Sequence, residues 1–98
     1  MKHFLLIYEL ADTYLEKRGE YRAGHLGLLW DASKRGEVMI GGALPDPFDT
    51  AMILFTDKTA AENFVKADPY YQNGLIKSYR IREWNTVVGE WAANPVRL

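Results

Sequence analysis

The sequence predicts one α+β domain with elements in the order β-α-β-β-α-β and an antiparallel four-stranded sheet. Three observations carry this. Residues 3–8, 37–44, 51–55 and 75–84 are short runs rich in branched and aromatic side chains, bounded by turn residues, and read as strands. Between the first and second, and between the third and fourth, the apolar spacing changes to three and four, the period of a helix. The 98 residues are 48% hydrophobic with no linker or low-complexity segment, so 1–98 is a single domain. This order is the ferredoxin-like arrangement, with both helices on one face of the sheet.

The first strand, HFLLIY, is apolar on both alternating sets: Phe4, Leu6 and Tyr8 against Leu5 and Ile7. From about Asp12 to Arg35 the pattern is helical, with an expected break near Gly19. Its apolar stripe runs Tyr14, Leu15, Tyr21, His25, Leu28, Leu29, Ala32, and Lys34-Arg35-Gly36 is the stop. Gly24 and Gly27 each cost about 1 kcal/mol against Ala inside a helix, which points to a close approach there. In the second strand, Gly41-Gly42 predicts a bulge or an open strip of backbone. The third, AMILF, is again apolar on both faces. Asp57-Lys58-Thr59 starts the second helix, with Thr59 and Glu62 at capping-box spacing, and it buries Ala61, Phe64 and Val65. Asp68-Pro69-Tyr70 reads as a new helix start and Asn73-Gly74 as a turn. The fourth strand sets Leu75, Tyr79 and Ile81 against Ser78, Arg80, Arg82 and Trp84, its arginines acting as edge charges. The tail is too apolar to hang free and is expected to pack on this subunit or a partner.

Two helices cover one sheet face, yet strands one and three are apolar on both. The expectation is a homodimer whose sheets face each other.

Composition narrows function. Thirteen acids against twelve bases, net −1, argue against nucleic-acid binding through phosphate neutralisation, and AMILFTD lacks the basic-Gly-aromatic pattern that stacks bases. Without cysteine there is no thiol nucleophile or thiolate metal site, and two well-separated histidines predict no metal and no cofactor. The N-terminal apolar run is too short for a membrane helix and has no cleavage pattern, so the expectation is a cytoplasmic protein without membrane contact.

Candidate chemistry centres on YRAGHLGLL. Steps of three and four from His25 reach Tyr21, Arg22, Leu28 and Leu29 on one helical face. An imidazole there is either a neutral structural histidine or a general acid/base. Asp68 is either the N-cap of Pro69 or a partner for such a base. Arg22 is placed to hold a carboxylate or enolate oxygen, or else forms a surface ion pair. Tyr8, Tyr70 and Trp84 are candidates for an aromatic pocket wall, or else plain core, and Gly41 and Gly42 leave room for a ligand.

Four motifs occur in order: Arg22-x-x-His25-Leu26, Gly41-Gly42-x-Leu44, Ala67-Asp68-Pro69-Tyr70 and Gly74-Leu75. Each is weak singly; in this order and spacing they resemble the YCII-related family of small dimeric α/β-barrel proteins, over almost the whole chain. The resemblance implies that His25 and Asp68 form an active-site pair. The sequence departs from it at Ala23-Gly24, where a Pro-containing pair is usual, and at Ala43, where Pro is frequent. The family's function is largely unassigned.

With Asp68 on one imidazole nitrogen, the other is a base or acid for work near neutral pH. No Ser or Cys is placed for covalent catalysis. The reading is a cofactor-independent enzyme of isomerase or lyase type, transferring a proton on a small enolisable or aromatic compound. The alternative is a non-catalytic small-molecule-binding or accessory module.

Overall fold

The computed structural model describes residues 1–98. Its elements are β1 (His3–Leu10), α1 (Tyr14–Lys34), β2 (Val38–Leu44), β3 (Thr50–Phe55), α2 (Lys58–Ala67), the short α3 (Pro69–Gln72) and β4 (Ile76–Trp84). The sheet order is β2-β3-β1-β4 with every pair antiparallel, the ferredoxin-like topology. β1 and β3 take the centre because they are apolar on both faces, while Arg80 and Arg82 lie on the edge strand β4.

Alternation divides the sheet into two faces. Leu6, Tyr8 and Leu10 of β1 meet Ile53 and Phe55 of β3 on the covered face, where Ala61, Phe64 and Val65 of α2 complete the core. α1 lies over β2 and beside α3, and α2 lies over β1, β3 and β4. The opposite face presents Leu5, Ile7, Met52, Leu54, Ile40, Leu44 and Trp84, and no helix covers it.

Several sequence expectations are corrected. α1 is unbroken at Gly19. Tyr14 ahead of it and His25 and Ala32 after it are all buried, so one continuous helix serves both halves. One glycine, at about 1 kcal/mol, does not interrupt a cooperative helix held at both ends. Leu15 lies outside the buried stripe, 53% exposed. β1 runs on to Leu10 through a register shift at Glu9/Leu10 against β4, and β4 begins at Ile76, leaving Leu75 buried just ahead of it. The irregularity in β2 lies between Val38 and Ile40, whereas Gly41 and Gly42 pair regularly with Ile53 and Met52.

The α2 cap is Asp57, not Thr59. Its backbone is extended, and its Oδ2 accepts from the Ala60 amide at 2.9 Å, whereas Thr59 is already helical. Such a cap contributes about 1 kcal/mol.

The segment after β4 folds back on the open face at one end. The Asn94 and Val96 amides donate to the Thr86 and Val87 carbonyls, and Thr86 Oγ1 lies 2.7 Å from Nδ1 of His3, which is buried beneath.

Candidate active site

Three elements bring four side chains together under α1. Asp68 sits between α2 and α3, fully buried, in extended backbone imposed by the following proline. Its Oδ1 accepts from the Tyr70 amide at 3.0 Å, capping α3, and lies 2.7 Å from Nδ1 of His25. Its Oδ2 accepts from the Tyr8 hydroxyl at 2.8 Å. Cap and histidine partner are therefore one arrangement, because a carboxylate offers two oxygens with about four acceptor sites.

A carboxylate only accepts, so the Asp68 contact places the ring hydrogen on Nδ1 of His25. Nε2 makes no hydrogen bond inside the protein and is not sealed from solvent. The imidazole is largely buried and stacks on Tyr70, ring centroids 3.7 Å apart and planes 8° from parallel. Phe64 approaches its edge at 5.8 Å. One hydrogen bond and two aromatic neighbours thus hold the ring.

A cavity of about 290 Å³ opens beside His25 between α1 and the β2-β3-β1 side of the sheet. An apolar cavity of about 150 Å³ accommodates benzene, so this one has room for a substituted six-membered ring. Its walls include Tyr8, Arg22, His25, Gly41, Gly42 and Tyr70. Trp84 is not among them; it lies half-exposed on the open face, because its register partner His3 belongs to that side of β1.

The glycines have distinct reasons. A Cβ on Gly41 would stand 3.1 Å from the Ile53 side chain, while one on Gly42 would meet nothing within 4 Å. A Cβ on Gly24 would come within 3.3 Å of the Pro69 ring, so this glycine lets α1 approach α3 where Asp68 must reach His25. Gly27 shows no such contact.

Spacing singled out Arg22 but not Arg18, which with Tyr14, Leu26, Leu29 and Phe48 also lines the cavity. The signal was there to be read: Tyr14, Arg18 and Arg22 repeat at intervals of four, one stripe of a straight helix. The expected break at Gly19 hid it.

Burial, reinforced by the Asp68 charge and the hydrogen bond to it, pushes the Tyr8 phenol far above its ordinary value. Burial likewise raises Tyr70, with the neighbouring Tyr14 adding to it and Arg22 and Arg18 opposing it. A raised folded pKa contributes stability that is complete below the unfolded value near 10 and is lost as pH rises beyond it. Denaturant titrations from about pH 8 to about pH 11 should show stability falling above pH 10, by up to about 1.4 kcal/mol per pH unit for one such phenol. Tyr8→Phe should flatten that slope; an unchanged slope would remove Tyr8 as its source.

The fold and this pocket define a small ferredoxin-like α+β protein with a buried carboxylate beneath an imidazole. The YCII-related domain family matches residues 1–85, and the chain belongs to that family. No curated protein matches it significantly. Among solved structures it is similar to 5-chloro-2-hydroxyhydroquinone dehydrochlorinase (TftG) from Burkholderia phenoliruptrix, determined in complex with 2,5-dihydroxybenzoquinone. The TM-score is 0.70 at 18% identity, over 86% of this chain and 94% of that one. Atu4242 from Agrobacterium tumefaciens follows at 0.58 and 11% identity, over 95% and 98%. A NIPSNAP family protein from the same organism gives 0.55 and 12%, over 94% and 96%. At these identities the likeness is one of fold.

No helix is long and apolar enough to cross a membrane, and no three His, Cys, Asp or Glu side chains come together as a metal site.

Proposed function

We propose that this protein is a cofactor-independent enzyme of isomerase or lyase type that transfers a proton on a small cyclic, enolisable or aromatic compound. The observation that carries the reading is the His25–Asp68 contact at 2.7 Å with the second imidazole nitrogen left for the cavity. In this mechanism Asp68 and Tyr8 hold the imidazole with its hydrogen on Nδ1, and Nε2 takes a proton from an acidic C–H or O–H of the ligand. The imidazolium so formed rests against the Asp68 carboxylate. It returns the proton at another atom, which is isomerisation, or the ligand anion expels a leaving group, which is elimination. Chemistry of the second kind on a hydroxylated ring is what TftG's name describes, and a cavity of about 290 Å³ suits such a ring.

Deuterium exchange tests the reading. A panel of small cyclic ketones, hydroquinones and hydroxyquinones in D₂O should include compounds whose exchange the protein accelerates, with His25→Ala returning the rate to background. A general acid/base of this kind contributes about 10²–10⁴-fold. Binding without acceleration would replace the enzyme by a binding module.

The uncovered sheet face supports a homodimer closing a barrel, with Leu54 at the centre of the face, opposite Leu5 on one side and Ile40 on the other. An obligate interface of this kind buries roughly 2,000 Å² or more.

A further inference from the structure

The wall of α1 that faces the cavity carries more positive charge than proton transfer needs. Arg18 and Arg22 stand one helical turn apart, about 6 Å along the axis, and both line the cavity, while no acidic side chain does. The ion pairs of the molecule are His25–Asp68, Arg35–Glu37 and Lys77–Asp12, so neither guanidinium is matched by a carboxylate. Arg18 is only partly exposed. Its Cζ lies 5.2 Å from the Phe48 ring centroid and 5.6 Å from that of Tyr14. Contact with aromatic faces holds a guanidinium in place without using its N–H donors. The fields of both arginines reach Tyr70, the ring on which His25 stacks, where they oppose the effect of burial.

An unpaired, partly preorganised pair of guanidiniums beside an apolar slot is suited to an anion with a flat apolar body. We propose that Arg18 and Arg22 form a clamp for the substrate's negative charge, and that the substrate is a planar six-membered ring bearing that charge on a carboxylate or on ionised ring oxygen. The ring lies in the slot against Gly41 and Leu29, the anionic group meets the clamp, and the reacting position faces His25. Charge developing on an enolate oxygen in the same ring is stabilised by the same donors. This names the substrate class of the site described above and rests on that reading for the reaction, though not for binding.

Calorimetric titration with matched probes tests it: 4-hydroxybenzoate against 4-hydroxybenzamide, and 2,5-dihydroxybenzoquinone, ionised at its ring oxygens, against neutral 2,5-dimethoxybenzoquinone. At least one anion should bind tenfold or more tighter than its neutral partner, and the advantage should shrink with salt. The arm that shows it tells carboxylate from ring oxygen. Arg18→Gln and Arg22→Gln should each weaken the anion about tenfold and leave the neutral partner within about twofold. Should Arg18→Gln lower the melting temperature, Arg18→Lys, which keeps the charge, should keep most of the anion preference. If both anions bind no better than their neutral partners, or neither binds, the clamp is overturned. Anion preference without deuterium exchange leaves the clamp standing and removes the proton-transfer reading; exchange without anion preference does the reverse.

Discussion

In the proposed reaction Asp68→Asn should lower turnover by about 10²–10⁴ while the protein stays folded. The amide oxygen can still accept from the Tyr70 amide and so preserve the α3 cap, now made by Oδ1 at 3.0 Å. What disappears is the negative charge under the imidazole and one of its acceptor positions, because the amide nitrogen only donates. With its oxygen at the Oδ1 position the amide still accepts from the Tyr70 amide and from His25 Nδ1, and its NH2 meets the Tyr8 hydroxyl, which can accept; what the variant removes is the negative charge that stabilises the imidazolium. Asp68→Ala separates the two roles further. It strands the Tyr8 hydroxyl, the Tyr70 amide and His25 Nδ1 in a region where Asp68 is wholly inaccessible and Tyr8 is 1% exposed. At about 1–3 kcal/mol for each unsatisfied buried group, this variant should lose several kcal/mol of stability as well as activity. Turnover measured beside denaturant midpoints separates the cases. Asp68→Asn with full activity would leave Asp68 a structural cap alone.

Leu54→Arg should convert the proposed homodimer to a monomer with the pocket intact. Leu54 lies opposite Leu5 in β1 and Ile40 in β2 on the uncovered face, far from the covered face that holds His25 and Asp68. A two-fold interface carries the substitution twice, and each uncompensated buried charge costs about 3–5 kcal/mol. Arg80 and Arg82 already lie on that face, so a further cation gains no relief from them. Sedimentation at micromolar concentration should return twice the 11.2 kDa chain mass for the parent protein and one chain mass for the variant. A monomeric parent would remove the dimer, and a dimeric variant would move the interface elsewhere.

Strand identities and the order of elements were legible because the evidence for them is local and repeated. Two-sided apolar runs such as FLLIY and AMILF belong at the centre of a sheet, and the arginines of β4 belong at its edge. Less was legible where one residue had alternatives of similar local energy. Thr59 with Glu62 looks like the cap of α2, but Thr59 is already helical and Asp57, in extended backbone, takes that role. Gly19 looks like a break until packing on both sides of it holds α1 straight, and with the straight helix Arg18 joins the cavity wall. Trp84 looked like a pocket residue, but a side chain's face follows strand register, which the sequence states only modulo its partner.

By itself the sequence determined the order of elements, the two-faced central strands and the set of groups available for chemistry, with no thiol among them. The tertiary structure alone decided that Asp68 caps α3 and holds His25 with the same oxygen, and that Tyr8 reaches the other. Those partners are 43 and 60 residues away along the chain. Periodicity reports which neighbours share a helix or strand face; it carries no information on which buried donor, dozens of residues distant, will meet a carboxylate that has lost its water.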